Sequence, residues 1–259
     1  KTVEDAEILF NAIKGKDELD STSIQYKEVR SSWELEPPKI QNYTIGLPKE
    51  YFIEGLDKET GEAIEEAIKK LKNLGIKFKE ISLAHTKYAL SCYYIIMPAE
   101  VSANLARFDG IRYSRPLNLK SEILNLKDIY FKTRGEGFGE EVKRRIILGT
   151  FVLSAGYYDA YYAKAQKVRR LIKEDFDKAF KEVDVILTPV SPTTAFKIGE
   201  KTQDPLLMYL SDIFTIPVNL AGLPAISIPT RNTLPIGFQL IGKPFHEADI
   251  LRVGQYYER

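Results

Sequence analysis

Two charged residues lie alone in long uncharged stretches and could therefore bind a charged substrate. Asp212 is the single charged residue between Leu206 and Thr230, and Arg145 directly precedes the uncharged segment 146–155. Burying an ion is costly unless the ion is paired or used, so both residues are candidate site residues. An Arg can hold a carboxylate through two parallel hydrogen bonds, and an Asp can hold an ammonium group. Such a pair would suit a free amino acid, although a structural ion pair between a helix and a loop fits the same pattern.

The cysteine, the histidines and a glycine cluster argue against several other kinds of site. Cys92 is the only cysteine, which excludes an internal disulfide and a cysteine-cluster metal site. His85 and His246 are the only histidines, so a zinc site built on several histidines is nearly excluded, and a Ser-His-Asp triad would have to use one of the two. The glycine cluster at 135–139 lacks the GxGxxG spacing and follows no predicted strand, so it does not indicate a dinucleotide site.

The length and the charge balance of the chain limit its partners. Its 259 residues carry 37 Lys and Arg against 36 Asp and Glu, a net charge of +1, so no overall basic field attracts nucleic acid or an anionic membrane. A basic stretch at 164–173 lies on a predicted helix, where a solvated face is the commoner interpretation and a tRNA contact is the alternative. No run of about 18 apolar residues and no secretory pattern occurs. We therefore expect a cytoplasmic protein that contacts no membrane, in keeping with the single cysteine.

Apolar spacing predicts helices and strands in turn along the first third of the chain. Thr2 is placed to cap a helix that ends at Ile13. Four apolar residues share one face of this helix: Val3, Ala6, Leu9 and Ile13. A strand at 43–47, a helix at 57–74 and a strand at 76–81 follow, after a charged connection at 16–41. This succession predicts two parallel strands joined by a right-handed crossover.

A hairpin is predicted near the end of the chain. The segments 225–228 and 238–241 are short apolar runs closed by Pro or Gly, which is typical of two buried strands joined by a turn. The loop at 220–224 carries no charge, so we expect it inside the protein, with Gly222 supplying backbone freedom that other residues lack.

The other elements are mostly helical. Pro98 is expected to divide the helical segment 89–108. A long helix is predicted at 157–183, where tyrosines four residues apart stack and an aromatic stripe usually indicates core packing. Further helices are predicted at 126–134, 140–153, 205–214 and 248–257, with a buried strand at 185–187.

Several long strings, in the same order, resemble known enzymes. PVNLAGLPAISIP at 217–229 and PIGFQLIGKPF at 235–245 resemble the C-terminal segment of the amidase signature enzymes. FDGIRY at 108–113, the stretch 134–169 and LTPVSPTTAF from Leu187 are similar to the A subunits of glutamyl-tRNA(Gln) amidotransferases within that family. The resemblance implies an α/β amidase-signature fold, a mixed central sheet covered by helices on both faces. Residues 1–259 would be the C-terminal portion of a single domain of this type.

The resemblance also implies an activity and partners. A subunits of this kind hydrolyse glutamine to release ammonia, and a B subunit uses ATP and magnesium to convert Glu-tRNA(Gln) to Gln-tRNA(Gln), while a small C subunit braces the pair. We therefore expect a heterotrimeric ligase of protein biosynthesis, in which this chain binds no cofactor or metal and meets misacylated tRNA mainly through the B subunit. Asparaginyl-tRNA is a further possible product. A stand-alone amidase of the same family and a non-catalytic scaffold are the alternatives.

The resemblance assigns the glutamine site to three residues of this chain, Tyr93, Arg145 and Asp212, with Tyr94 adjacent to the first. It assigns no catalytic residue here, because the family's Ser nucleophile, its second Ser on a cis peptide and its Lys lie in or before a Gly-Ser-rich segment. No Gly-Gly or Gly-Ser pair occurs in this sequence. We expect that segment upstream of the helix that starts at Thr2, and we expect the chain alone to be inactive towards glutamine.

Overall fold

The structure is a computed structural model that describes residues 2–23, 40–52, 56–113, 125–200, 208–230 and 235–259. The chain divides into two compact units, Lys1–Leu90 with Arg170–Arg259 and Ser91–Arg169. Most of the predicted connection at 16–41 and the first part of the predicted helix at 205–214 lie outside the described residues. The assignment of the whole chain to one domain stays a prediction.

Strands and helices follow one another along the chain. The strands are β1 Thr44–Pro48, β2 Lys77–Ile81, β3 Val185–Pro189, β4 Ala225–Pro229 and β5 Gly237–Gly242. The helices are α1 Val3–Ile13, α2 Lys58–Asn73, α3 Ala89–Leu105, α4 Leu126–Gly137, α5 Glu140–Val152, α6 Lys164–Ala179, α7 Ile216–Ala221 and α8 Glu247–Glu258. Within the described ranges, no helix is both long and apolar enough to cross a bilayer.

The first unit is built on a mixed five-stranded sheet with the order β2-β1-β3-β5-β4. β1 pairs in parallel with β2 and β3, and β5 pairs antiparallel with β3 and β4. The parallel pairing of the strands on either side of α2 is therefore confirmed. So is the mixed sheet that the resemblance implied.

Both faces of this sheet are buried. Val185, Leu187 and Leu240 belong to one core cluster, together with apolar residues of α2: Ala63, Ile64, Ala67 and Leu71. Ile186 and Ile241 alternate with these strand residues, so they point to the opposite face, where both are also fully buried. Burying one such side chain stabilises the fold by about 1.5–3 kcal/mol, and both faces of the sheet contribute.

Helix α1 begins with the predicted cap. The Thr2 hydroxyl accepts a hydrogen bond from the Asp5 N–H at 3.1 Å, and the Asp5 carboxylate accepts one from the Thr2 N–H at 2.9 Å. This reciprocal capping box satisfies two N–H groups that the first turn leaves unpaired, and it explains why the helix starts at Val3.

The face that α1 buries differs from the predicted one. Val3 and Glu7 are its buried residues, and they lie against α8, where Gln255 Nε2 donates to Glu7 Oε2 at 2.6 Å. Leu9 and Ile13, which the apolar spacing grouped with Val3 on one helical face, are both exposed. Apolar spacing identified the helix but not the side that meets the rest of the unit.

The predicted hairpin is confirmed, but only one of its strands is central. β5 is buried from Phe238 onwards, whereas β4 lies at the edge of the sheet and buries only Ile228. The prediction of two buried strands is therefore wrong for β4, since an edge strand lacks a neighbour on one side. Helix α7, which precedes β4, ends with buried residues and is capped by Gly222. The φ of Gly222 is 68°, a left-handed value that confirms its predicted backbone freedom, although Gly222 itself is exposed.

The second unit is helical, and α3 runs through Pro98 without dividing there, contrary to the prediction. α5 approaches α3 at this point. A Cβ atom on Gly149 would overlap the carbonyl group of Pro98, so the two helix backbones are in direct contact and only glycine fits at position 149.

The long helix predicted from Tyr157 begins as the π turn Tyr158–Ala163 and continues as α6. Tyr157 with Tyr161 and Tyr158 with Tyr162 do lie close together, at ring distances of 6.1 and 5.3 Å. Three of these residues, however, are 42–46% exposed: Tyr157, Tyr158 and Tyr161. The expectation that the stripe is core packing is wrong for these three within the described structure.

Candidate functional site

Arg145 lies on α5 and packs against α3. Its Nε donates to Glu141 Oε1, one turn earlier, at 2.9 Å, and its Nη1 lies 3.7 Å from Met97 Sδ. The Tyr94 ring centroid is 5.9 Å from Cζ of Arg145, within the range of a cation–π contact. With 29% of its side chain exposed, Arg145 is held on several sides while part of its guanidinium stays accessible.

The surroundings of Arg145 keep it cationic. Burial, the largest single influence, acts to lower the pKa of Arg145, but the hydrogen bond and the charge of Glu141 outweigh it, with help from Tyr94 and Tyr93, and the pKa is raised above its ordinary value. Among the described residues, Glu141 is the one oxygen acceptor that the guanidinium contacts. The remaining N–H groups can therefore donate to a ligand, and a carboxylate is the group that best fits such donors.

The aromatic residue over Arg145 is Tyr94. Tyr93 meets the Tyr94 ring edge-on, with centroids 5.1 Å apart, and both rings are half-buried. Residues 94 and 97 share one face of α3 because they are three positions apart, and Glu141 lies four positions before Arg145 on α5. These spacings could have indicated Tyr94, Met97 and Glu141 from the sequence. The contact of Tyr93 with substrate stays a prediction.

Asp212 belongs to the first unit and ends the short 3₁₀ turn Leu210–Asp212. Its carbonyl accepts hydrogen bonds from the N–H and the hydroxyl of Thr215, at 3.1 and 3.2 Å, while its carboxylate makes no hydrogen bond or ion pair with the residues that the structure describes. The expectation of a buried anion is wrong, because Asp212 is exposed and burial begins at Phe214. The stretch around Asp212 lacks other charges because α7 is buried, and not because Asp212 is. The binding of an ammonium group by Asp212 stays a prediction.

A buried amide anchors the turn that carries Asp212. Gln239 Nε2, on β5, donates to the Phe214 carbonyl at 2.8 Å and to the Pro189 carbonyl at 3.3 Å. The Phe214 ring stacks on Tyr51 with centroids 5.3 Å apart. The sheet thus fixes the chain two residues after Asp212. Gln239 was not predicted as a positioning residue, although an amide alone among apolar strand residues was a usable signal.

A cavity of about 250 Å³ lies in the first unit, at the end of the sheet. Its lining combines hydroxyl groups with apolar side chains: Thr60, Val190, Ser191, Thr193, Ser227, Pro229, Pro235, Ile236 and Gly237. None of these residues is charged, so they offer hydrogen bonds but no ion for the charged ends of an amino acid.

Other reactive groups are already engaged. Burial raises the pKa of the Cys92 thiol to about 11, and Sγ donates to the Ala165 carbonyl at 3.2 Å, so Cys92 is not a nucleophile at neutral pH. His85 Nδ1 lies 3.0 Å from Asp175, which also accepts the His85 backbone N–H at 2.8 Å. In the part of the chain that the structure covers, no group of three or more His, Cys, Asp or Glu residues is placed to hold a metal.

The basic stretch on α6 is partly neutralised by its own helix. Arg170 pairs with Glu174 at 2.9 Å and Lys173 pairs with Asp177 at 3.0 Å, each four residues apart on the surface. These pairs favour the interpretation as a solvated face over a tRNA contact.

The amino-acid sequence of the chain matches one protein family and several curated relatives. The family model described as Amidase matches residues 1–251. Over its full length the chain is 57% identical to the A subunit of glutamyl-tRNA(Gln) amidotransferase from Carboxydothermus hydrogenoformans and 56% identical to its counterpart from Thermodesulfovibrio yellowstonii. It spans 53% of the length of each of these two relatives.

Solved structures agree with this match. The crystal structure of the glutamyl-tRNA(Gln) amidotransferase A subunit from Thermotoga maritima matches all of this chain with a TM-score of 0.74 and 41% identity, and the chain covers 51% of it. A variant of Kluyveromyces lactis allophanate hydrolase also matches with a TM-score of 0.74, at 23% identity, which shows a shared fold alone. The amidase-signature fold that the resemblance implied is confirmed. Because the family model matches almost the whole sequence, this chain belongs to the amidase family.

Proposed function

We propose that this chain carries the glutamine-recognition residues of the A subunit of a tRNA-dependent amidotransferase. Its relatives at 57% and 56% identity, of which it spans about half, are A subunits of glutamyl-tRNA(Gln) amidotransferases by name. The observation that carries the proposal is Arg145, which Glu141 and Met97 hold in place while guanidinium N–H groups remain for the α-carboxylate of glutamine. Tyr93 would pack beside the substrate, and Asp212 would bind its ammonium group.

The reaction would be hydrolysis of the side-chain amide of glutamine. A Ser would attack the amide carbon, ammonia would leave, and water would release glutamate from the acyl-enzyme. The Ser, its partner Ser and the Lys would come from the part of an amidase chain that this sequence does not span, as would the N–H groups that stabilise the oxyanion. The contribution of this chain is to hold both charged ends of the amino acid, so that the amide is presented in one orientation.

The partners follow from the same proposal. A B subunit that binds ATP and magnesium would use the ammonia to amidate misacylated tRNA, and a C subunit would complete a cytoplasmic heterotrimer. This chain would bind neither cofactor.

The proposal is tested in the complete amidase chain, assembled with its B and C subunits. Losing one charge-assisted contact costs about 2–4 kcal/mol, so Arg145→Ala and Asp212→Ala should each raise the glutamine KM about 30- to 900-fold. Arg170→Ala, at an exposed ion pair, is the matched control and should leave KM unchanged. An unaltered KM in both site variants would show that these residues do not hold glutamine. Hydrolysis of other amides with no transfer to tRNA would favour the stand-alone amidase instead.

A further inference from the structure

The side chain of Tyr51 connects the start of the sheet to the turn that carries Asp212. Tyr51 ends the 3₁₀ turn Lys49–Tyr51, directly after β1, and is buried. Its ring stacks on the ring of Phe214, with an angle of 29° between the two planes and the centroid distance of 5.3 Å given above, which is typical of a favourable aromatic pair. Phe214 is also buried and lies two residues after Asp212. The stack therefore joins two segments that are far apart in the chain.

The direction of the Asp212 carboxylate depends on the backbone of this turn. Within the described ranges the carboxylate makes no hydrogen bond or ion pair that could fix its direction. The turn is held through its main chain instead, since Thr215 donates twice to the Asp212 carbonyl. Gln239 of β5 holds the Phe214 carbonyl, whereas Tyr51 holds the Phe214 ring. Because β3 separates β1 from β5 in the sheet, the turn is anchored at two separate places.

The ring of Tyr51, and not its hydroxyl group, makes this contact. The hydroxyl is buried, yet it has no hydrogen-bond partner of ordinary geometry in the described part of the chain. The Thr86 hydroxyl lies close to it but donates to the Leu83 carbonyl, at 2.7 Å. An unpaired buried hydroxyl lowers stability, so a phenylalanine at position 51 should keep the contact and cost the fold nothing.

We propose that Tyr51 is a positioning residue of the amino-acid site. Its ring holds Phe214 so that the turn presents the Asp212 carboxylate to the ammonium group of the substrate. Tyr51 acts through Phe214 and does not touch the substrate, because its own side chain is buried. The inference rests on the proposed function, in which Asp212 binds that ammonium group.

Steady-state kinetics of the complete amidase chain, assembled with its B and C subunits, test the proposal. Tyr51→Leu removes the ring and should raise the glutamine KM about 2- to 12-fold, the factor that corresponds to one aromatic pair, with kcat unchanged. Tyr51→Phe keeps the ring and should keep the KM of the unaltered chain. In an Asp212→Ala background, Tyr51→Leu should raise KM no further, because the ring then has no carboxylate to position.

Tyr257→Leu is the matched control, because it removes a different buried aromatic pair from the same unit. The Tyr257 ring meets Phe238 edge-on, with centroids 4.8 Å apart, in a core cluster that includes neither Tyr51 nor Phe214. Tyr257→Leu should lower the melting temperature, as Tyr51→Leu does, but it should leave the glutamine KM unchanged. A general loss of stability is thereby separated from a loss of positioning.

An unchanged KM in folded Tyr51→Leu would overturn the proposal, and so would an equal rise in KM with and without the Asp212 carboxylate. A normal KM in Asp212→Ala alone would refute the proposed function instead. Hydrogen exchange at residues 213–215 would then decide whether the ring holds the turn. Faster exchange in Tyr51→Leu than in Tyr51→Phe would support that contact, and equal exchange would overturn it.

Discussion

Gly149 of α5 rests directly on the backbone of Pro98 in α3, with no room for a Cβ atom between the helices. Arg145 lies one turn before Gly149, and Met97 lies beside Pro98. The close crossing therefore brings the guanidinium to the Met97 sulfur and the Tyr94 ring. The candidate cation is positioned by a helix contact that a single glycine permits.

Gly149→Ala should destabilise the second unit. The added methyl group would meet backbone atoms, which cannot move aside as a side chain can, and overpacking of this kind costs about 1–3 kcal/mol. Thermal unfolding followed by circular dichroism checks this. Gly135→Ala on α4 is the control, because nothing lies within 4 Å of its Cβ position and Ala stabilises a helix interior by about 1 kcal/mol relative to Gly. Equal melting temperatures for the two variants would contradict the close contact between α5 and α3 at Gly149 and Pro98.

Tyr93 and Tyr94 should differ in their effects on glutamine binding. Tyr94→Ala removes the ring over Arg145, a contact worth about 0.5–1 kcal/mol, so the glutamine KM of the complete amidase chain should rise only about 2- to 5-fold. Tyr93→Ala should raise KM more, because Tyr93 is the proposed substrate contact. Steady-state kinetics separate the two residues. A larger rise in KM for Tyr94→Ala than for Tyr93→Ala would mean that Tyr94, and not Tyr93, contacts the substrate.

Asp175→Ala should cost more stability than Asp177→Ala, although both residues lie on α6. Asp175 is buried and accepts hydrogen bonds from the backbone and ring of the part-buried His85, and removing the acceptor of such donors costs up to about 1–3 kcal/mol. Asp177 pairs with Lys173 on the surface, where such a pair contributes about 0–1 kcal/mol. Urea unfolding measures the difference, and similar midpoints would mean that the His85 contacts do not matter.

Gln239→Leu should loosen the turn that carries Asp212. The variant leaves the buried Phe214 carbonyl without its amide donor, which should reduce the free energy of unfolding by about 1–3 kcal/mol. Ser227→Ala is the control, since Ser227 pairs with Gln239 in the sheet register but is exposed. Hydrogen exchange around residues 212–215 should rise in Gln239→Leu alone. Unchanged exchange would show that the turn is held by other contacts.

Cys92 should make stability fall at alkaline pH. Burial raises the pKa of its thiol from an ordinary value of 9.0 to about 11 in the folded chain, so the unfolded chain loses its proton first. The contribution is fully present below pH 9 and is lost as the pH rises from 9 to 11. Denaturant unfolding at several pH values, compared with Cys92→Ala, measures this. A parallel pH profile in Cys92→Ala would contradict it.

Local chemistry was enough to place most elements. The Thr2 cap, the strand, helix and strand around α2, and the hairpin of β4 and β5 all follow from patterns a few residues long, because capping and apolar periodicity are properties of neighbouring residues. The family, too, could be identified from strings of sequence. Arg145 was a sound candidate for the same reason, since its charge stands beside an uncharged run.

The burial of individual side chains could not be predicted from short sequence patterns, because it depends on residues far apart in the chain. Glu7 is buried because α8 lies over it, and its partner Gln255 is 248 positions away. Asp212 is exposed although its neighbours in sequence are apolar. The neighbours of Arg145 include Met97, 48 positions earlier. Whether a side chain faces the core or water is set by the packing of distant segments against one another, and no short stretch of sequence contains that information.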